Sequence, residues 1–185
     1  MEKEGPLVKV TQPTDWVNYL IVSSLGDKNR ICFYAGDLNK TVMREHYPIP
    51  TVEEISAKIT EAKVFTVLDV KNGYLQMKLD DKSSLLTTMK TPIGRYRWLK
   101  QPFGIESAPE TYQRAMNEML EGIDHGYPIF DDILIAGHNV THHDSLQEAV
   151  LQRAKSYNVR LNFENVKVRK PQVQYVGHII FLAKK

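Results

Sequence analysis

Apolar residues fall along this chain in short runs rich in β-branched and aromatic side chains, interrupted by a few segments of helical spacing. Residues 16–23 and 30–34 read as strands joined by a turn at Gly26-Asp27. Tyr47-Pro48-Ile49-Pro50 must be extended, because each proline disfavours helix in the residue before it. Thr51 and Glu54 form the capping box of a first helix. Residues 64–70 and 74–79 are expected as strands flanking a break at Lys71-Asn72-Gly73, and residues 95–99 as another. Ser107-Ala108-Pro109-Glu110 then opens a second helix with an N-cap, a first-turn proline and a capping-box glutamate. Tyr112, Ala115, Met116, Met119 and Leu120 recur at helical spacing and mark its core face. A third helix is expected from about 144 to 157, with strands near 159–161 and 174–180. Strands with helices set to one side predict an α+β fold on a mostly antiparallel sheet.

Composition adds little to this and removes some function classes. The chain has 185 residues, 42% hydrophobic and 25% charged, which suits one structural unit with a real core. No apolar run approaches the roughly 20 residues that span a bilayer. The start, Met1-Glu2-Lys3-Glu4, has no basic and apolar leader, so an intracellular protein is expected, with no membrane partner and no secretion. Cys32 is alone and lies in an apolar run, which predicts a small core residue. Net charge is only +2, but residues 153–185 hold eight basic side chains against one acid, Glu164, a distribution suited to phosphate contact. The competing reading of that cluster is an ordinary solvated surface.

Three acids stand where acids are rarely found. Asp69 ends the apolar run Phe65-Thr66-Val67-Leu68, and Asp131-Asp132 interrupts Ile129-Phe130 and Ile133-Leu134-Ile135. On a flat strand neighbouring side chains face opposite ways, so the pair serves one site only at a tight hairpin turn or with one acid in support. Converging carboxylates raise one another's pKa unless a cation sits among them. A pair of Mg2+ ions, which favour oxygen ligands, resolves that conflict and suits in-line phosphoryl transfer. The bland alternative is a turn cap at Asp69 and an exposed loop at 131–132.

Asp69 with Asn72-Gly73-Tyr74 and Gln76, Gln101-Pro102-Phe103-Gly104-Ile105-Glu106-Ser107-Ala108-Pro109, and Phe130-Asp131-Asp132-Ile133-Leu134 resemble three successive motifs of retroelement reverse transcriptases. Asp37-Leu38-Asn39-Lys40, Arg44-Glu45-His46-Tyr47-Pro48-Ile49-Pro50 and Tyr175-Val176-Gly177-His178 agree in order and spacing, so the resemblance runs from about residue 13 to 180. The wording Pro-Phe-Gly-Ile and Tyr-Val-Gly-His is closest to gypsy-type LTR retrotransposons. The resemblance implies a right-hand polymerase with fingers at about 13–62 and 80–107 and palm at about 63–79 and 108–180. The palm is expected as a ferredoxin- or RRM-like antiparallel sheet with helices on one face. It implies no thumb, protease, ribonuclease H or integrase within these residues.

The same resemblance implies an RNA-directed DNA polymerase domain of a Pol polyprotein. A primer 3′-hydroxyl would attack the α-phosphorus of a deoxynucleoside triphosphate on an RNA or DNA template. Asp69, Asp131 and Asp132, with the Val70 carbonyl, would hold two Mg2+ ions, or Mn2+ in their place. Lys28, Arg30, Lys71, Asn72, Gly73, Tyr74, Phe103 and Gly104 would take the nucleotide. Arg30 would bind its phosphates, backbone amides at 71–74 would assist, and Tyr74 would exclude a ribose hydroxyl. Phe130, Tyr175, Val176, Gly177 and His178 would face primer and template, with Tyr175 to His178 as the primer grip. Such a domain works in the cytoplasm, a virus-like particle or the nucleus.

Several positions depart from the family pattern. Ile129 stands in place of Tyr, Tyr34 in place of Asp, Gln101 in place of Leu or Met, and Glu106 in place of Lys. Ser23, Ser24 and Leu25 replace expected basic residues, and Asn165-Val166 replaces Lys-Cys, while Lys167 remains as a proton donor to pyrophosphate. These changes touch phosphate and primer handling and remove none of the three acids. The rival reading is therefore a degenerate or domesticated copy that only binds nucleic acid or protein. A two-metal nuclease would leave the Pro-Phe-Gly and Tyr-Val-Gly-His segments unexplained. His138, His142 and His143 lack a cysteine or carboxylate to complete a zinc set and are expected simply to start a helix. Trp16, Trp98, Tyr96 and Phe33 read as core rather than as base-stacking platforms.

Overall fold

The computed structural model describes residues 5–25 and 28–181, with the side chains of 23–30 and of Asn165 outside the description. The turn expected at Gly26-Asp27 lies outside the described residues. In chain order the elements are β1 (Leu7–Lys9), β2 (Asn18–Leu25), β3 (Lys28–Tyr34), α1 (Gly36–Thr41), α2 (Val52–Lys58) and β4 (Val64–Asp69). A 3-10 turn at Gly73–Gln76 follows, then α3 (Asp81–Leu86), β5 (Met89–Thr91), β6 (Gly94–Trp98) and α4 (Ala108–Met119). The chain continues through β7 (Gly126–Ile129), β8 (Asp132–Gly137), α5 (Val140–Ser156), a 3-10 turn at Phe163–Asn165, β9 (Lys167–Lys170), β10 (Gln172–Tyr175) and β11 (His178–Phe181). They fall into two compact units: Met1–His46 with Tyr74–Thr111, and Tyr47–Gly73 with Tyr112–Lys185.

The first unit is built on a five-stranded sheet in the order β1-β6-β5-β2-β3, antiparallel except where β2 runs parallel to β5. Phe33, Leu38, Met89, Tyr96 and Trp98 form its core, with Trp16, Leu75 and Leu79 packed against them. Of the aromatic residues weighed as base-stackers, Phe33, Tyr96 and Trp98 are thus interior and Trp16 is half-buried against them. Helix α3 was not foreseen, although Asp80 carries the signature of an N-cap and accepts the Ser83 amide at 2.9 Å. Its Ser84 hydroxyl donates to the Trp98 carbonyl, and the Trp98 amide donates to Thr87 Oγ1 at 2.9 Å, which pins the helix to β6.

Residues 74–79 do not form the expected strand. Asn72 turns the chain with φ +54°, Tyr74 to Gln76 wind into the 3-10 turn, and only Lys78 bridges to Lys100. Leu75 and Leu79 look like an alternating strand but serve a core reached by winding, and short apolar runs do not distinguish the two. Glu110 also departs from its expected cap role. Its Oε1 accepts from the Arg44 guanidinium and its Oε2 accepts the His46 amide at 3.0 Å, holding the 44–46 segment. The Arg44 hydrogen bond keeps the Glu110 carboxyl below its ordinary value of 4.5.

The second unit carries an antiparallel sheet in the order β7-β8-β4-β9. On one face Phe65, Val67, Leu134 and Ala136 pack with Val52 and Ile55 of α2, with Ile59 just after it, and with Val173, Tyr175 and Ile180 of the β10–β11 hairpin. The Thr51–Glu54 capping box that starts α2 is present as expected. Helix α5 covers the other face, where Gly137 is required. A Cβ there would sit 2.5 Å from the Cβ of His143 and 2.7 Å from its Cα. The expectation of helices on one face holds for α5, and α2 with the hairpin covers the opposite face as well.

Three boundaries differ from expectation. Helix α5 starts at Val140 rather than near 144, because Asn139 caps it by accepting the His142 amide at 2.9 Å. Residues 159–161 contribute only a bridge from Leu161 to Val70. Residues 174–180 are two strands rather than one, since Val176 and Gly177 both take positive φ, +47° and +80°, and reverse the chain. Of the five core positions expected on α4, Tyr112, Met116, Met119 and Leu120 are buried and Ala115 is half-buried.

A polar tie crosses the sheet beneath α5. His143 is fully buried, with Nε2 2.7 Å from Thr66 Oγ1 and Nδ1 3.2 Å from Asp144 Oδ1. In the Nδ1–H tautomer the ring accepts from Thr66 and donates to Asp144. Arg169, at a bulge in β9 with φ +49°, donates its amide to Thr66 Oγ1 and its guanidinium to both Asp144 oxygens at 2.8 and 2.7 Å. Those bonds hold the Asp144 carboxyl below the usual carboxylate range.

His143→Ala should lower unfolding free energy by about 3 kcal/mol, because it leaves buried polar partners unsatisfied. A urea midpoint within error of the parent would refute that role. Glu110 should give a pH signature of fixed sign. Its folded-state pKa is depressed, so its contribution is full above the ordinary value of 4.5 and is lost as pH falls through the folded value. Glu110→Gln should therefore melt lower than the parent at pH 7, with the gap closing in acid; a gap that widens in acid contradicts the pairing.

Candidate active site

The three acids lie at one end of the β4–β8 pair. Antiparallel register sets Asp69, last in β4, opposite Asp132, first in β8. Both belong to the face that carries Val67, so both carboxylates point to the same side. They line a cavity of about 480 Å3 with Val67, Glu164, Val166, Lys167 and Gln174. Asn162 completes the Asp69 setting, donating Nδ2 to Oδ2 at 3.0 Å and its amide to the Asp69 carbonyl at 2.8 Å.

Asp131 reaches its position by the hairpin-turn alternative. Ile129 pairs with Asp132, leaving Phe130 and Asp131 as a two-residue turn. Phe130 has φ +50°, a conformation costing a bulky residue roughly 1–3 kcal/mol. Gln113, fully buried on α4, holds the turn: Oε1 accepts the Phe130 amide at 3.0 Å, and Nε2 donates to the Pro128 carbonyl at 2.6 Å. Pro128 is tolerated because β7 is an edge strand. The Asp131 carbonyl accepts the Val70 amide at 2.7 Å. Its carboxylate lies against Gly73, where a Cβ would come within 1.9 Å of Oδ1 and 2.5 Å of the Tyr112 hydroxyl.

Electrostatics around Asp132 fit a cation. Burial raises its pKa, and the Asp69 charge raises it further; a hydrogen bond from the Val176 amide and the Lys167 charge oppose them. Like charges opposed across adjacent strands destabilise a sheet. A hard dication among these oxygens removes the repulsion, and an all-oxygen donor set suits Mg2+ or Mn2+.

Other expected site residues fall in varied places. Tyr175 is fully buried, and its hydroxyl donates to the Tyr127 carbonyl at 2.9 Å, so its side chain serves the core. Burial and the Asp132 charge both push that hydroxyl's pKa up. Val176 and Gly177 form the hairpin turn, and His178 is exposed. The Lys71 amide is taken by the Arg160 carbonyl at 2.9 Å, which removes it from the expected set of phosphate donors. Asn72 is exposed in the turn, and Gly73 is buried. In the first unit Tyr74 packs on Phe103 with ring centres 5.2 Å apart. Gly104 (φ +111°) allows a close backbone approach, but to this chain: a Cβ there would lie 1.9 Å from the Phe33 carbonyl oxygen. The side chains of Lys28 and Arg30 lie outside the description.

The C-terminal basic cluster is partly consumed by the fold. Arg169 binds Asp144, and Arg153 donates to the Met119 and Glu121 carbonyls at 2.8 and 3.0 Å. Lys184 and Lys185 lie outside the described residues. Asn162, Gln113, Glu164 and Gln174 were not anticipated. Gln113 is one residue off the apolar helical stripe, and Asn162 meets Asp69 only through folding, so neither had a sequence signal.

The family model of "Reverse transcriptase (RNA-dependent DNA polymerase)" matches residues 27–180. This chain belongs to the reverse transcriptase family. Among its relatives, the Pol polyprotein from transposon 297 of Drosophila melanogaster is 31% identical over 160 residues, 85% of this chain and 15% of the relative. The Pol polyprotein from transposon gypsy of the same fly is 31% identical over 171 residues, 91% of this chain and 16% of the relative. The chain thus spans about one-sixth of the length of these two relatives. A foamy viral protease-reverse transcriptase solved with an RNA/DNA hybrid shares the fold at TM-score 0.85 and 18% identity, over 97% of this chain and 24% of that one. No helix among the described residues of this reverse transcriptase domain is long and apolar enough to cross a membrane.

Gln113→Leu should destabilise the domain by about 2 kcal/mol, since it strands the Pro128 carbonyl and the Phe130 amide. Unchanged denaturant midpoints would show that the turn does not depend on it.

Proposed function

We propose that this domain is an RNA-directed DNA polymerase of a retrotransposon Pol polyprotein, extending a primer 3′-hydroxyl with deoxynucleoside triphosphates on an RNA or DNA template. The observation that supports it most is Asp69 opposed to Asp132 across one strand pair, with Asp131 held in the adjoining turn. Asp69, Asp131 and Asp132, with the Val70 carbonyl, would hold two Mg2+ ions. When bound, these stabilise charge on the attacking and leaving oxygens of a phosphoryl transfer. Asn162 orients the Asp69 carboxylate, and the Val176 amide orients that of Asp132. Gln113 keeps the Phe130 turn in the geometry that presents Asp131. Lys167, on the cavity wall, is suited to give a proton to departing pyrophosphate.

We read fingers at about 13–62 and 80–107 and palm at about 63–79 and 108–180. The first compact unit holds most of the former and the second most of the latter, with 47–62 grouped in the second and 74–79 in the first. Tyr74, with Phe103 behind its ring, would select deoxyribose, while Arg30 and Lys28 would take phosphates and Gly104 would line the base pocket. Phe130 and the 175–178 hairpin would meet primer and template. The nucleic-acid duplexes named for the foamy viral enzyme are the kind of partner this reading requires.

The test is extension of a labelled primer on an RNA template with Mg2+ or Mn2+. Asp131→Asn should cut the rate by at least ~100-fold while leaving duplex binding within a few-fold. Equal extension by parent and Asp131→Asn would refute the carboxylate assignment. Salt-sensitive duplex binding with no extension by the parent would identify a binding module instead.

A further inference from the structure

A second constellation lies at the opposite end of β8. His125 is in the connection from α4 to β7, His138 directly follows β8, and His142 is in the first turn of α5. All three are half-buried, and one ligand atom from each lies within 4.8 Å of the others. The His138 and His142 rings are parallel with centres 4.8 Å apart, and the His125 ring stands edge-on to both, at 5.2 and 5.5 Å. From Asp132 to His138 is six residues of strand, about 20 Å at the usual rise, so this cluster is separate from the carboxylates.

The backbone holds the three in place. The His125 carbonyl accepts the Ala136 amide at 3.1 Å, and the His142 amide is fixed by Asn139. His138 Nδ1 lies 3.4 Å from the Glu61 carbonyl, which favours the Nδ1–H tautomer and leaves Nε2 for a ligand; such an outer hydrogen bond is usual behind a metal-binding imidazole. His142 Nδ1 accepts the His138 amide at 3.3 Å, a long bond that a metal can displace. His143, adjacent in sequence, takes no part because Thr66 and Asp144 occupy its ring.

We propose that His125, His138 and His142 form an open three-imidazole site for a borderline transition-metal dication, Zn2+ foremost, with water or an outside ligand in the fourth position. Three neutral imidazoles suit zinc and are poor ligands for Mg2+. Zinc–nitrogen bonds of about 2.0–2.1 Å set tetrahedral ligands about 3.4 Å apart, so the longest separation here must close by about 1.4 Å, within reach of ring rotation. The metal would tie the start of the β7–β8 hairpin, the end of β8 and the first turn of α5 into one cross-link. This inference does not rest on the polymerase reading and is tested without primer or nucleotide.

The full chain, stripped with chelator, is titrated with Zn2+ by calorimetry and melted with and without the metal. One equivalent should bind, excess Mg2+ should not displace it, and at 100-fold excess over Kd the Tm should rise by about 5 °C or more. Co2+ should give the strong visible bands of a tetrahedral site. His125→Gln and His138→Gln, each first matched to the parent in metal-free Tm, should lose the Tm rise and the bands, while His46→Gln keeps both. Absence of stoichiometric binding would overturn the proposal. So would zinc retained by both cluster variants, or zinc lost on Asp132→Asn instead, which would place the metal at the carboxylates.

Discussion

The register of β4 against β8 is the constraint on which the second unit turns. Six consecutive pairs run from Val64 with Gly137 to Asp69 with Asp132. One alternation sends Phe65, Val67, Leu134 and Ala136 to the α2 side and Thr66 to the His143 side, and it ends with two acids on the same face. A one-residue slip of either strand would exchange its two faces, which pack against different partners, and would move Asp69 and Asp132 out of their opposed positions. The apolar packing that makes slippage costly is therefore what keeps two mutually repelling carboxylates side by side. Stability of the sheet and strain at its end come from the same arrangement.

Both ends of β8 use the sheet as a rigid frame. At the carboxylate end, strain is concentrated in a two-residue turn with an aromatic at positive φ, and Gln113 compensates from a buried position. At the other end, Gly137 lets α5 descend onto the strand, which brings His142 beside His138 and seats His143 on Thr66. Neighbouring histidines thus have unrelated settings. One is a core hydrogen-bonding group, and its neighbour faces a half-open cluster.

Several family departures have a physical reading here. Ile129 is buried in the core that contains Tyr175, so an apolar side chain suits that position. Glu106 is exposed, and its amide donates to Asn39 at 3.2 Å, so its charge lies on the surface of the first unit. Tyr34 is exposed and lies over Gly36, where a Cβ would approach its ring to 3.1 Å. Ile129 thus lies within the packed frame, while Glu106 and Tyr34 lie on the surface of the first unit.

The sequence by itself determined the fold class, the family, the α2 capping box, the strand ending in Asp69 and the three acids in their order. These are local or colinear properties: apolar period, cap chemistry and motif spacing survive in one dimension. Tertiary structure decided the rest. Residues 74–79 read as strand, but Leu75 winds into a 3-10 turn instead, because a short apolar run does not reveal which core it serves. The strand expected at 174–180 folds back because Val176 accepts a left-handed conformation that its β-branched side chain gives no reason to expect. Asn162 at Asp69, Gln113 beneath the turn and His125 beside His138 are joined across gaps with no spacing rule. Only the packed sheet brings them within reach of one another.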